Sequence, residues 1–127
     1  PRPTTILLVE DDSALRALFS RVLEQHGYAV TAASGVADAG LKARALGQRL
    51  DLLVTDLVLP DGNGYALARE LAASRLGLRT LLVSGYTGDP EVIKEISESG
   101  VAFLPKPFTP RGILRALRAL LAGEAQG

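Results

Sequence analysis

Short continuous apolar runs alternate with amphipathic stretches along the whole chain. Ile6-Leu7-Leu8-Val9 is stopped by Glu10-Asp11-Asp12, Leu52-Leu53-Val54-Thr55 by Asp56, and Thr80-Leu81-Leu82-Val83 by Ser84-Gly85. Runs without polar alternation predict strands buried on both faces. A weaker strand is predicted over Tyr28–Ala32, entered through Gly27, and a fifth over Val101–Leu104. Between the runs the apolar spacing changes to three and four. Leu15, Leu18, Phe19 and Val22 predict a helix over Ala14–Gln25 with Ser13 as N-cap. A second helix is predicted over Val36–Leu46, capped by Ser34 and ended by Gly47, and a third over Tyr65–Ser74 on Leu67 and Leu71. Asp89-Pro90 reads as N-cap and first residue of a fourth helix, with Val92, Ile93 and Ile96 facing inward. Thr109-Pro110 opens a fifth, carrying Ile113, Leu114, Leu117, Leu120 and Leu121. Leu59-Pro60-Asp61-Gly62-Asn63-Gly64 is a loop by composition. No repeat, linker or low-complexity stretch interrupts the alternation. The pattern predicts α/β class: a single (βα)5 domain with a mostly parallel sheet, spanning residues 1–127 with its core at about 5–122.

Composition narrows the function classes. At 47% hydrophobic and 22% charged residues the chain resembles an ordinary soluble domain. Fourteen Lys+Arg balance fourteen Asp+Glu, which argues against nucleic acid as a ligand. The absence of cysteine excludes disulfides, thiolate metal sites and cysteine nucleophiles. No apolar run approaches the roughly 18 residues of a membrane span, and Pro1-Arg2-Pro3 opens no secretory signal. No membrane contact is expected, and the expected compartment is the cytoplasm. The lack of any methionine leads us to expect a piece of a longer chain.

In a parallel sheet the carboxyl ends of all strands share one edge, outside which ligands bind. Here the first strand ends in Glu10-Asp11-Asp12, the third in Asp56 and the fourth in Ser84, while Lys106 follows the fifth. Clustered carboxylates repel one another, and a hard cation with oxygen ligands relieves that repulsion; magnesium is the natural candidate. A lysine can pair with an aspartate or neutralise a phosphate. Acids, hydroxyl and ammonium together make a phosphoryl-accepting constellation with a carboxylate as nucleophile.

The same residues carry a family resemblance. Leu8-Val9-Glu10-Asp11, Asp56 followed by Leu59-Pro60 and Gly64, Ser84-Gly85, and Leu104-Pro105-Lys106-Pro107-Phe108 resemble, in order, the four site segments of a response-regulator receiver domain of two-component signalling. The match runs from about Ile6 to Leu121. It implies a flavodoxin-like three-layer fold with sheet order 2-1-3-4-5, an order that chemotaxis receivers share. It also implies that Asp56 accepts a phosphoryl group from a phosphohistidine on a histidine kinase or phosphotransfer protein. Asp11 and Asp56 would ligate Mg2+, with Glu10 acting through water and the Val58 backbone carbonyl completing the set. Ser84 would hydrogen-bond the phosphoryl oxygen, Lys106 would pair with it, and the Lys106-Pro107 bond would be cis. In this register Asp12 falls at the helix entry, where an anion suits the dipole.

Each residue has a plainer reading beside this one. Asp56 alone could cap a turn, as Asp61 is expected to do, and Ser84 alone is an ordinary strand-end serine. Lys106 as a merely solvated lysine fits poorly with prolines on both sides of it. His26 ends the first helix, where an imidazolium suits the dipole, and is expected to be structural. Arg111, Arg115 and Arg118 form one stripe on the last helix, read as lying opposite Glu91, Glu95 and Glu98 on the fourth. This is a solvated face or a partner surface. Phe103, three residues before Lys106, occupies the place of a switching aromatic but lacks a phenol, so packing alone would drive an inward swing.

The resulting expectation is a switch and not a metabolic enzyme. Its signal would pass through the face of the fourth helix, fifth strand and fifth helix, which could also carry a homodimer. The chain is expected to be a stand-alone shuttle or the receiver of a larger protein, with no DNA-binding output domain. Leu82-Val83-Ser84-Gly85-Tyr86 resembles receivers of hybrid sensor histidine kinases. Val58 and Tyr86 flank the approach of hydrolytic water without a carboxylate or amide, which predicts a long-lived phosphoryl-aspartate. Two other classes compete: a receiver-like interaction module that takes no phosphate, and a small α/β enzyme or flavin carrier. Against the last, the acidic loop after the first strand is no phosphate cradle.

Overall fold

A computed structural model describes residues 2–85 and 90–122. Its central sheet has five strands: β1 (Thr5–Val9), β2 (Ala29–Ala33), β3 (Leu52–Asp56), β4 (Arg79–Ser84) and β5 (Ala102–Pro105). All pairings are parallel, in the order β2-β1-β3-β4-β5 expected from the resemblance. The helices are α1 (Ser13–Gln25), α2 (Val36–Leu46), α3 (Gly64–Ala72), α4 (Pro90–Ser99) and α5 (Pro110–Leu121). No helix among the described residues is long and apolar enough to cross a membrane.

The unbroken apolar runs are explained by alternation across the sheet. Ile6, Leu8, Leu52, Val54, Leu81 and Val83 bury against Phe19 and Leu23 of α1 and Ile113, Leu114 and Leu117 of α5. Their neighbours Leu7, Val9 and Leu53 point the other way, onto Ala39 and Ala43 of α2 and Leu67, Ala68 and Leu71 of α3. Leu82 packs with Leu57 and with Ile96 of α4. Helices therefore cover both faces, and the strand ends meet at one edge.

The element ends differ from the sequence reading where a side chain from elsewhere intervenes. Asp12, not Ser13, caps α1: its Oδ1 accepts from the amides of Ala14 and Leu15 at 2.9 and 3.1 Å. Ser34 does not cap α2. The amides of Val36 and Ala37 donate instead to the two carboxylate oxygens of Asp61, at 2.7 and 3.0 Å. Gly35 leaves room for this, since a Cβ there would stand 2.7 Å from Asp61 Oδ1. Asp61 thus caps a helix and not a turn. The stretch expected to be a loop folds as a small hairpin in which Val58–Leu59 pairs antiparallel with Gly62–Asn63. Asn63 Oδ1 then caps α3, accepting from Tyr65 and Ala66 at 2.7 and 3.0 Å, so α3 starts and ends earlier than expected. Tyr28 stays outside β2 because its amide closes the turn after α1 on the Leu23 carbonyl. Val101 stays outside β5 because its amide goes to the Ser99 hydroxyl. The expected cap Asp89 lies outside the described residues.

One glycine is dictated by crowding. The Gly64 amide donates to the Leu57 carbonyl at 2.8 Å. A Cβ on Gly64 would stand 1.9 Å from the backbone oxygen of Asp56. Main chain cannot move aside as a flexible side-chain tip can, so Gly64→Ala is expected to cost about 3 kcal/mol. Urea unfolding of the variant checks this; an unchanged midpoint would contradict the packing described.

Candidate functional site

The register β1–β3–β4–β5 delivers one polar residue per strand to the carboxyl edge. Glu10 continues β1 and donates its amide to the Ala33 carbonyl at 3.0 Å, while Lys106 continues β5 and donates to the Ser84 carbonyl at 2.8 Å. Glu10, Asp56 and Ser84 are each no more than 5% exposed although polar. Asp56 sits between the other charged groups. Lys106 Nζ lies 3.0 Å from Asp56 Oδ1 and 3.1 Å from Glu10 Oε1. The contact with Asp56 is an ion pair, since no donor is aligned on that buried oxygen. The second Glu10 oxygen accepts from the Asp12 amide at 3.0 Å. Asp11, Asp56, Val58, Val83, Ser84, Gly85 and Lys106 line a cavity of about 170 Å³ above this cluster. The Lys106-Pro107 peptide bond is cis.

Burying two carboxylates beside one ammonium perturbs all three. Burial first, and then the Glu10 carboxyl beside it, push Asp56 up to about 7, against the opposing pull of Lys106. Burial also acts to raise Glu10, but its bonds with Asp56, the Asp12 amide and Lys106 hold it below the usual carboxylate range. Burial lowers Lys106, and the Asp56 and Glu10 carboxyls outweigh it, so the ammonium persists above its ordinary range. Glu10 and Asp56 are thus pushed in opposite directions, Asp56 up and Glu10 down.

Carboxylate oxygens of Glu10, Asp11 and Asp56 lie within 4.8 Å of one another, the one such metal-capable group among the described residues. An all-oxygen donor set with open cavity beside it fits magnesium, which takes few carboxylates and keeps its waters. Val58 has its side chain in solvent at 60% exposure and contributes only main chain and an apolar surface to the rim.

Other residues singled out in the sequence lie elsewhere. Phe103 faces α4, where it lines a groove of about 430 Å³ with Ile93, Ile96, Ser97, Gly100 and Val101. His26 caps the end of α1, and its Nδ1 hydrogen-bonds the Val22 carbonyl at 2.9 Å. The arginine stripe does not oppose the glutamates of α4. Arg111, Arg115 and Arg118 border α1 instead, lining a groove with Val22, Gln25 and His26. The position of α5 on the sheet turns that stripe toward α1, and Glu95 lies 3.9 Å from Arg69 of α3. Tyr86 lies outside the described residues.

Two residues at the site escaped the sequence reading. The buried Thr55 hydroxyl donates to the Asp56 carbonyl at 3.0 Å. Arg16 donates from Nη1 to the Glu10 carbonyl at 2.7 Å and to that of Asp11 at 3.4 Å. An arginine at the fourth position of the helix, four residues after Asp12, was the available signal, but its backward reach to carbonyls carries no sequence mark.

The raised Asp56 pKa makes stability depend on pH. A native state that binds the proton more tightly than the unfolded chain is stabilised below about pH 4, and loses that contribution as pH rises toward about 7. Asp56→Asn removes the loss. Without divalent cations, the variant is expected to gain on the wild type between pH 5 and pH 8, by on the order of 1 kcal/mol or roughly 4 °C in Tm. Thermal melts at both pH values check it; a constant difference would contradict the shift.

The comparisons with known proteins agree with this geometry. Residues 6–118 match the model of the response regulator receiver domain family. The sensor kinase CckA of Brucella abortus is 33% identical over 92% of this chain, a region making up 12% of that kinase. Protein PetR of Rhodobacter capsulatus is 30% identical over 94% of this chain and 49% of its own length. The chain therefore spans at most about half of these curated relatives. The crystal structure of a CheY-like receiver domain protein from Methanospirillum hungatei superposes with a TM-score of 0.84 at 28% identity, covering 98% of this chain and 99% of that one. Fold, edge geometry and family match converge: the chain belongs to the response regulator receiver domains of two-component signalling.

Proposed function

We propose that this domain is phosphorylated on Asp56 by a phosphohistidine of a histidine kinase or phosphotransfer protein and carries that signal as a conformational switch. The observation that carries the reading is a buried Asp56 held between Glu10 and Lys106 at the floor of an open, oxygen-lined cavity. An Asp56 oxygen attacks phosphorus, the phosphorus–nitrogen bond breaks, and the donor imidazole keeps the electron pair. Lys106 Nζ, already 3.0 Å from Asp56 Oδ1, is placed to meet the new negative oxygens, and Ser84 lines the same cavity. Asp11, Asp56 and the Val58 carbonyl would hold Mg2+, with Glu10 acting through water. When bound, the ion screens the charge of the incoming phosphoryl group and favours the ionised carboxylate. Asp11, the exposed acid of the three, would offer that ion a second carboxylate, and Glu10 holds Lys106 at 3.1 Å.

The acyl phosphate adds a charge of about −1.5 to −2. Lys106 and Ser84 then reorganise toward it. Both adjoin β5, so the change is read on the α4–β5–α5 face, where Phe103 borders a groove beside Ile93 and Ile96. A homodimer through that face fits the same output. The domain's own chemistry is limited to forming and hydrolysing this phosphate. The matches to the sensor kinase CckA and to the receiver domain of the hybrid histidine kinase CckA support a receiver within a hybrid kinase; a cytoplasmic location is part of the proposal. The aliphatic Val58 at the rim offers nothing to orient water, so the phosphate should be long-lived.

Intact mass after incubation with Mg2+ and a small-molecule phosphodonor tests this. One phosphoryl increment is expected in the native protein, and none without Mg2+ or in Asp56→Asn. The increment should persist well beyond seconds at neutral pH after donor removal; decay within seconds would overturn the lifetime reading. No increment under any condition would leave the fold as an interaction module that takes no phosphate.

A further inference from the structure

Arg16 lies four residues beyond the N-cap Asp12, in the part of α1 where a cation faces the positive end of the helix dipole. That position disfavours a cation unless something offsets the dipole. Its guanidinium is nevertheless turned back onto the acidic segment, donating to the carbonyls of Glu10 and Asp11 at 2.7 and 3.4 Å. These two carbonyls belong to the peptide planes on either side of the Asp11 Cα.

The rest of the segment is held by other means. The Glu10 amide donates to Ala33, the Glu10 carboxylate takes the Asp12 amide and Lys106, and Asp12 caps the helix. Asp11 differs. Among the described residues its exposed carboxylate has no hydrogen-bond or ion-pair partner, so the direction of that side chain is set by its main chain alone.

We propose that Arg16 is a positioning residue for the metal site: by fixing both peptide planes flanking Asp11, it aims the Asp11 carboxylate at the cavity it shares with Asp56. This rests on the reading that Asp11 and Asp56 bind Mg2+. Both contacts leave from one nitrogen, Nη1, whose direction is fixed by the planar guanidinium. A lysine ammonium is a point charge on a flexible stem, which keeps the electrostatic part without that fixed direction.

The test is a Mg2+ titration of the intact protein followed by thermal stabilisation, with Mn2+ binding by electron paramagnetic resonance as a second readout. The proteins are wild type, Arg16→Ala, Arg16→Lys and Asp11→Asn. Loss of a partner that orients a ligand weakens metal affinity about 10-fold or more, and that is expected for Arg16→Ala, with Arg16→Lys in between. A purely structural role would lower the metal-free Tm and leave the Mg2+ midpoint where it was. An Arg16→Ala midpoint within about twofold of wild type therefore overturns the proposal. If that variant does not fold, Arg16→Lys decides by the same criterion. A wild type that gives no response to either metal overturns the metal reading itself, an outcome distinct from an unchanged variant.

Discussion

Two carboxylates share one ammonium in a place water barely reaches, and the carboxyl edge of the sheet is organised around that imbalance. Glu10 and Asp56 are each 4% exposed, and Lys106 lies near 3 Å from both. Removing two anions from water beside a single cation leaves residual negative charge, which burial makes expensive. The protein reduces this by keeping Asp56 easy to protonate and Glu10 hard to protonate. The residual negative charge is what a cation beside Asp11 would offset under the proposed function.

The backbone that carries this cluster is fixed by the core. Opposite faces of β1, β3 and β4 are anchored on different helices, so their register cannot slip without exposing both. The stack of Phe19 on Phe108, with ring centres 4.9 Å apart, fastens α1 to the segment just after Lys106. Gly64 lets α3 begin directly against the Asp56 carbonyl. The residues that do chemistry are few, and the surrounding packing leaves them little freedom.

The sheet and its polar edge were legible in the sequence because both rest on local signals. Apolar runs mark doubly covered strands, and polar residues that stop such runs must fall at one edge if the strands are parallel. Helix starts were less legible. In Asp11-Asp12-Ser13 all three residues can cap, and only the chain's path decides for Asp12. Asp61 could not be assigned to α2 because the amides it caps lie about 25 residues away in sequence. Arg16 and Thr55 escaped for a related reason: their partners are backbone carbonyls, which every residue has. The arginines of α5 were read as one stripe correctly, but periodicity does not say which neighbour a stripe will border.

Asp61 also bears on how the domain breathes. The hairpin after β3 supplies the cap that α2 does not provide for itself, and Gly62 packs against Val36 so closely that a Cβ there would stand 2.9 Å from Val36 Cγ2. Opening the hairpin strips the first turn of α2 of its acceptors, and fraying that turn releases the hairpin. The two segments, distant in sequence, are therefore expected to open as one unit, with their amides exchanging with solvent together.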